Sequence, residues 1–337
     1  MERGAMLKHV IAGIDVSSKK FDVSAEFDGA RRERATYDNA AHGHRELCRW
    51  LTKGGRTARV VVESTGIYSL DLALALHGNE EIEVMVANPR ALKDFARASM
   101  RRAKNDTVDA DSTLEFARRM EFIVWKPPSR QLLELRAISR RINALTVERA
   151  REKNRLHAAE ASEHTSRFVT NDIKVNMRHL TRRIEILAKQ ALEIVRKHAE
   201  LSRALSRITS IKGIAEGSAV QLLPELLVLP PDMTSRQWVA HAGLDPREHQ
   251  SGSSIDHPRR ISKVGNPVIR RALYMPALVA ARFEPNIRAF YEELKGRGKK
   301  PMQALIAVMR KLLHAIHGML RNDEDFVGEK FRKLKSA

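Results

Sequence analysis

The chain has 337 residues, 43% of them apolar, so it is long enough for two or three domains with ordinary hydrophobic cores. Lysine and arginine number 60 against 41 aspartate and glutamate residues, and this net charge of +19 favours a polyanionic partner, nucleic acid before an anionic membrane. The single cysteine, Cys48, excludes a disulfide framework and a thiolate zinc site, and no apolar run approaches the ~20 residues of a membrane-spanning helix, so we expect a cytoplasmic protein with no membrane partner.

The basic excess is concentrated in the second part of the chain. Residues 1–125 hold 20 basic and 19 acidic side chains, whereas residues 126–337 hold 40 and 22. This distribution predicts a nearly neutral catalytic domain over residues 1–126, followed by a region that binds nucleic acid.

The first 100 residues alternate between strand and helix patterns. Apolar and β-branched runs predict five strands, and periodic segments between and after them predict helices. An opening meander followed by alternating strands and helices indicates an α/β domain with a mixed sheet. The predicted strands are 9–16, 21–27, 35–37, 60–63 and 82–87, and the predicted helices are 41–51, 68–76 and 90–98.

Four acidic residues occupy positions where catalytic carboxylates would be useful. Asp15 and Glu63 each end a short β-branched run, so each should lie where a buried strand reaches the rim of the sheet. Asp106 and Asp109 are three residues apart and share one face of a helix. Taken singly, such acids are more often ordinary strand-end or helix-start charges, but four gathered carboxylates would repel one another unless cations lay between them. Mg²⁺ (or Mn²⁺) is the expected cofactor, because it accepts carboxylate oxygens and leaves positions open for phosphate oxygens.

Residues 127–208 show heptad spacing of apolar side chains, which predicts a central helical coiled coil. A polar stretch at 164–171 is expected to be a turn, so two long helices would fold back on each other or pair with another subunit. The apolar positions of the heptads are Leu135, Ile138, Ile142, Leu145, Met177, Leu180, Ile184, Leu187, Ala191, Ile194, Leu201, Leu205 and Ile208.

The region 209–322 carries two candidate phosphate-binding features. Lys212 and Gly213 lie in a turn between helices, which resembles half of a helix-hairpin-helix but is equally typical of a plain joint. Further on, Ser251 precedes a glycine in a basic loop and is the candidate nucleophile, and Ser262 is the second candidate. Taken alone, a serine in a loop usually has no catalytic role. Residues 323–337 are expected to form a charged, disordered tail. The basic candidates for nucleic-acid binding beyond the turn are Arg247, Arg259, Arg260, Lys263, Arg270 and Arg271.

Taken in order, these motifs resemble the bacterial DEDD insertion-sequence transposases of the IS-one-ten (IS110) superfamily, relatives of the Piv-type DNA invertases. The resemblance covers nearly the whole chain except the two tails, and it departs from the family pattern at Asp111, a fifth acid, and at Asp245, which replaces a usually small residue. The matching segments are 13–17, 62–66 and 104–110 at the amino-terminal end, and 243–244, 246–247, 251–252 and 262–266 at the carboxyl-terminal end.

The resemblance implies a fold and a mechanism. The fold would be a RuvC/RNase H-like amino-terminal domain, the central coiled coil and a mostly helical carboxyl-terminal serine transposase domain. The acids would hold the metal and Ser251 would attack a phosphodiester, giving a covalent protein-DNA intermediate. Members of the family work as dimers that pair into tetramers, and they bind a structured, element-encoded guide RNA as well as donor and target DNA.

Two other functions fit some of the same residues. A Holliday-junction resolvase or other metal-dependent nuclease would use the acids to activate water, with Ser251 only contacting phosphate. A non-catalytic DNA-binding protein would account for the basic charge but would have no use for the acidic quartet. A covalent DNA adduct distinguishes the transposase from the nuclease, and alanine at Asp15 or Glu63 would leave a non-catalytic protein unaffected.

Overall fold

The computed structural model describes residues 9–64, 66–99, 106–247, 250–251, 255–256 and 260–334, with the side chains of 106–108, 247, 250–251 and 255–256 outside the description. The chain divides into two compact units, Met1–Pro127 and Pro128–Ala337. This boundary lies one residue beyond the predicted domain end at 126. A further domain boundary after residue 208 stays a prediction. Within the described ranges, no helix has the length and apolarity needed to cross a membrane.

The first unit is built on a five-stranded mixed sheet with helices on both faces. Strand order is β3-β2-β1-β4-β5, in which β1, β2 and β3 form an antiparallel meander and β1, β4 and β5 run parallel. The mixed α/β sheet predicted from the sequence is therefore confirmed. The elements are β1 (His9–Val16), β2 (Lys20–Phe27), β3 (Arg31–Asp38), α1 (Ala41–Thr52), β4 (Thr57–Glu63), α2 (Ile67–His77), β5 (Ile82–Ala87), α3 (Pro89–Ala98) and α4 (Asp106–Arg119).

Alternation along the strands divides the core of this unit between the two faces of the sheet. Val60 and Val62 of β4 pack in one cluster with Leu47 of α1 and Leu72 of α2. Val61 points the other way, into a smaller cluster that includes Leu92 of α3 and Phe116 of α4. Successive strand side chains point to opposite faces, so one β-branched run serves both clusters.

The second unit is mostly helical. Its first two helices form an antiparallel hairpin, in which Lys174 Nζ lies 2.9 Å from Glu160 Oε1 and Arg149 donates to Thr181 Oγ1 at 3.4 Å. Pairing with a second chain stays a prediction. The elements are α5 (Arg130–Glu160), α6 (Arg167–Lys197), α7 (Ala199–Thr209), α8 (Glu216–Leu227), α9 (Ser235–His241), β6 (Pro246–Arg247), β7 (Gln250–Ser251), β8 (Ile255–Asp256), β9 (Arg260–Ile261), α10 (Pro267–Phe283), α11 (Pro285–Gly296), α12 (Pro301–Asn322) and α13 (Gly328–Phe331).

Two details of the helical hairpin differ from the sequence prediction. The expected turn at 164–171 is too long, because α6 already begins at Arg167, where Ser166 Oγ accepts a hydrogen bond from Phe168 N at 3.2 Å. The apolar repeat also does not continue as one helix to Ile208, because the backbone is extended at His198 and α7 starts afresh. Neither the cap at Ser166 nor the extended residue His198 changes the spacing of the apolar residues much. The periodicity of the sequence therefore does not reveal where these helices begin and end.

The carboxyl-terminal segment is ordered where the structure describes it. Phe331 of α13 is 4% exposed and belongs to the main core of the second unit. Arg207 of α7 pairs with Asp323 at 3.1 Å and Asp325 at 2.8 Å, and Asn286 Nδ2 donates to the carbonyl of Arg332 at 2.6 Å. The expectation of a disordered tail is therefore wrong for residues 323–334, because a charged composition conceals two phenylalanines, Phe326 and Phe331, that pack on the core.

Candidate functional site

Helix α4 lies directly on the central strand β1, and a glycine makes this approach possible. A Cβ atom added to Gly13 would stand 2.1 Å from Leu114 N and 2.4 Å from the carbonyl carbon of Thr113. Both distances are far shorter than any real Cβ contact, so only glycine allows the two backbones to meet. Gly13 therefore sets how close the acidic helix comes to the sheet.

Asp15 and Asp109 lie close enough to Glu63 at this junction for their charges to act on its carboxyl group. Ile14 pairs with Val62 in the parallel register of β1 and β4, so Asp15 and Glu63 are the next residues along adjacent strands. Burial raises the pKa of the half-buried Glu63 carboxyl, and the negative charges of Asp15 and Asp109 raise this pKa further. Two strand ends and one helix therefore bring three of the four predicted acids together.

The fourth predicted acid, Asp106, is the first residue of α4, and its side chain lies outside the description. It precedes Asp109 by three residues, which places the two on one face of the helix. Among the side chains that the structure describes, no group of three or more His, Cys, Asp or Glu residues has the arrangement needed to hold a metal ion. A four-carboxylate metal site therefore stays a prediction.

The fifth acid of this stretch, Asp111, has structural partners on the other flank of α4. Its carboxylate accepts hydrogen bonds from Ser24 Oγ at 2.7 Å, Arg34 Nε at 3.1 Å and Arg34 Nη2 at 2.5 Å. Asp111 and Asp109 are about 200° apart around a helix, so they point in nearly opposite directions. This arrangement favours Asp106 and Asp109 over Asp111 as the functional pair.

One turn further along α4, Glu115 makes a second tether to the meander. Arg32 Nη2 of β3 lies 2.6 Å from Glu115 Oε1, and the same guanidinium lies 3.2 Å from Glu26 of β2. Burial alone would raise the pKa of the Glu115 carboxyl, but Arg32, Arg118 and Arg119 outweigh burial and lower this pKa. Neither tether was predicted from the sequence, because the partners lie on strands about 80 residues away.

In the second unit, two loops, 241–245 and 262–266, flank the basic segment that contains Ser251 and pack tightly against each other. We call these two loops the loop base. A Cβ atom on Gly243 would lie 2.3 Å from Val264 O, and one on Gly265 would lie 2.2 Å from His241 O. Ser262 N also donates to Asp245 O at 2.8 Å. Both glycines have positive φ angles, so the loops depend on glycine for conformation as well as space.

The two candidate serines have different settings. Ser251 lies on β7, where it pairs with Ile255 of β8, and its side chain is outside the description. The reserve candidate Ser262 donates its hydroxyl hydrogen to Asp245 Oδ1 at 2.5 Å and accepts a hydrogen bond from Val264 N at 3.3 Å. Asp245, which departs from the family pattern, therefore holds the Ser262 hydroxyl in the loop base.

The predicted nucleic-acid-binding residues also separate into groups. Lys212, Arg260, Lys263 and Arg271 are exposed, whereas Arg259 and the side chain of Arg247 lie outside the described residues.

Arg270 braces the loop base, because its Nη1 donates to the carbonyl of Ala242 at 2.7 Å. Burial, followed by the charge of Arg271, lowers the pKa of Arg270. Gly213 has a packing role, since a Cβ atom there would lie 2.6 Å from Ala280 N of α10.

A buried carboxylate beneath the loop base was not predicted from the sequence. Glu225 of α8 is fully buried and accepts hydrogen bonds from Arg140 at 2.6 and 3.1 Å, from Arg136 at 3.4 Å and from Asn266 Nδ2 at 2.6 Å. Asn266 in turn caps α10 by accepting from Val268 N at 2.9 Å. Glu225 thus joins the hairpin helix α5 to the start of α10.

Comparisons with known proteins agree with this architecture. A family model described as a transposase, of the DEDD type in IS110 elements, matches residues 12–159, and a model described as a transposase of the IS116/IS110/IS902 family matches residues 205–292. A pilin gene-inverting protein of Moraxella bovis is 28% identical over 323 residues, which cover 93% of this chain and 96% of that protein. A putative transposase of Sinorhizobium fredii is 27% identical over 305 residues, covering 76% of each. The chain therefore belongs to the IS110 family of DNA transposases.

Proposed function

We propose that this protein is a DNA recombinase that cuts and rejoins DNA strands with a metal-binding acidic quartet and a serine nucleophile. The observation that carries the proposal is the approach of Asp15 and Asp109 to the half-buried Glu63, whose pKa is raised first by burial and then by these two charges. Carboxylates that disfavour one another's charge are typical of a site that binds a cation. The strand order of the mixed sheet, with β1 at its centre and α4 packed across it, supports a RuvC-like assignment of the first unit.

The acidic quartet would consist of Asp15, Glu63, Asp106 and Asp109. These carboxylates suit a hard divalent ion such as Mg²⁺ or Mn²⁺, because all four donors are oxygens. When bound, such ions stabilise the attacking and leaving oxygens of a phosphodiester. The rigid contact at Gly13 and the strand ends would hold the carboxylates of β1, β4 and α4 in fixed positions before DNA arrives.

Ser251 would supply the nucleophile. Its Oγ would form a bond to phosphorus while the bond from phosphorus to the leaving deoxyribose oxygen breaks, and that oxygen would take up a proton. The phosphate ester then conserves the bond energy, so a second DNA hydroxyl can displace Ser251 and rejoin the strands without ATP. The interlocked loops at Gly243 and Gly265 support this role, because they provide a firm base for the segment.

The partners proposed for this reaction are DNA, a structured guide RNA and further copies of the chain. The basic excess of residues 126–337 supports binding to phosphate backbones, which is largely independent of sequence. A guide RNA would leave the choice of sequence to base pairing. Assembly as a dimer or tetramer would let the units of different chains act together. Inversion of a DNA segment, the activity in the name of the Moraxella relative, uses the same cutting and rejoining.

A comparison of point variants tests this function. The protein, co-expressed with its element RNA, is incubated with labelled junction DNA and Mg²⁺, and cleaved and rejoined strands are separated on a denaturing gel. Asp15→Asn and Glu63→Gln should each lower strand cleavage by several orders of magnitude. Glu83→Gln is the matched control, because Glu83 is a strand acid of the same sheet that pairs with Arg59 at 2.8 Å. Normal recombination by Asp15→Asn would contradict the proposed metal site.

A further inference from the structure

We propose that Arg34, assisted by Arg32, is a positioning residue that sets the rotation of α4 and thereby directs Asp109 toward Asp15 and Glu63. This inference rests on the proposed function, because it concerns the geometry of the same acidic site. Neither arginine would contact the reacting groups. Both act on α4 through carboxylates on the flank that faces away from the site.

The acids of α4 fall on two different flanks. On one flank, the negative charge of Asp109 acts on the Glu63 carboxyl at the end of β4. Asp111 and Glu115 are one helical turn apart and face strands β2 and β3, where Ser24, Arg34 and Arg32 hold them. Because side chains four residues apart share a helix face, the two tethers act along one line parallel to the helix axis.

The contact at Gly13 sets the height of α4 above the sheet, and Phe116 packs in the apolar cluster beneath the same helix. Backbone contact does not fix the rotation of a helix, and apolar packing is not directional. The two tethers add directional contacts at two points along one flank. Rotation of α4 in either direction would move Asp109 relative to Asp15 and Glu63.

The Arg34 tether has the geometry of a directional contact. Arg34 meets both carboxylate oxygens of Asp111 through Nε and Nη2, and Ser24 provides a third donor from the neighbouring strand. A bidentate guanidinium–carboxylate pair fixes orientation as well as distance. The Asp111 side chain is only 20% exposed, so water does not readily replace these donors.

The same strand provides a matched control. Arg31 is also on β3, but among the described residues its ion pair is with Glu33 of the same strand and not with α4. Arg34→Met and Arg31→Met each remove one positive charge and keep an unbranched apolar stem. Any general effect of charge on DNA binding is therefore the same in both variants, and only Arg34→Met releases the helix.

Two measurements test the inference. Hydrogen exchange of residues 106–119 in metal-free protein reports how firmly α4 is held, and the Mn²⁺ concentration for half-maximal strand cleavage reports the geometry of the acids. Arg34→Met should speed exchange in α4 and raise the required Mn²⁺ concentration about tenfold or more, the size of effect typical when a group that orients metal ligands is lost. Arg34→Lys, which keeps one charged donor, should restore part of both values, and Arg31→Met should match the wild type.

The outcomes separate this inference from the proposed function. Equal Mn²⁺ requirements in Arg34→Met and Arg31→Met, with metal-dependent cleavage by the wild type, would overturn the positioning role. Faster exchange in α4 with an unchanged Mn²⁺ requirement would also overturn it, because Arg34 would then serve stability alone. Metal-independent cleavage by the wild type would instead overturn the proposed function itself.

Discussion

Replacing Glu225 by alanine should strongly destabilise the second unit. Glu225 is fully buried, and its carboxylate receives four hydrogen bonds from Arg136, Arg140 and Asn266. Glu225→Ala would leave the Arg136 guanidinium, whose side chain is 29% exposed, without its counter-charge. Removing one partner of a buried pair costs about 3–5 kcal/mol, which for a unit of this size lowers Tm by roughly 6–20 °C.

Glu216→Ala is the matched control for this prediction. Glu216 begins the same helix α8, is exposed, and lies 3.8 Å from an exposed partner, Arg196, so its loss should cost about 0–1 kcal/mol. Urea unfolding can be followed through Trp238, which is 8% exposed, after Trp50→Phe and Trp125→Phe remove the other two tryptophans. If Glu225→Ala lowered the free energy of unfolding by less than about 1 kcal/mol, the buried ion pairs of Glu225 would not be important for the stability of the unit.

Three further predictions concern the acidic site and the basic surface. Gly13→Ala would force α4 off β1 and should cost about 1–3 kcal/mol or more while abolishing cleavage; wild-type urea stability and activity would contradict the close contact. Because the folded-state pKa of Glu63 is raised, this carboxyl costs stability once the pH exceeds its unfolded value, and the cost is complete above its folded value. Glu63→Gln should therefore be more stable than the wild type near neutral pH in EDTA, with the advantage shrinking as pH falls, and an equal stability at neutral pH would count against the gathered carboxylates. DNA affinity should fall steeply with salt and the slope should lessen in Lys263→Ala, whereas a flat salt response in titrations would show that the basic excess is not the binding surface.

The fold of the first unit and the placement of two of its acids could be predicted because they depend on local pattern. Asp15 and Glu63 each end a run of alternating or β-branched residues, and such runs are typical of buried strands. Strands β1 and β4 then proved to be parallel neighbours, which brings their ends to one edge of the sheet. That Asp109 shares a helix face with Asp106 could be predicted from helical periodicity alone, because the two residues are three positions apart.

The supports of the site depend on contacts between distant parts of the chain, and these leave no local pattern. Arg34 meets Asp111 across 77 positions, and Arg140 meets Glu225 across 85. In the sequence these residues look like ordinary surface charges. The core position of Phe331 was missed for a related reason, because two aromatic residues five positions apart in a charged segment show no recognisable periodicity.

The proposed reaction depends on a covalent bond between Ser251 and DNA at a site assembled with the acidic quartet. The most direct measurement is peptide mapping of protein-DNA adducts after incubation with Mg²⁺, co-expressed element RNA and labelled junction DNA. We expect DNA attached at Ser251, no adduct in Ser251→Ala, and normal adduct formation in the neighbouring variant Ser253→Ala. Efficient DNA cleavage with no adduct on the wild-type protein would contradict the serine mechanism and would indicate a hydrolytic nuclease.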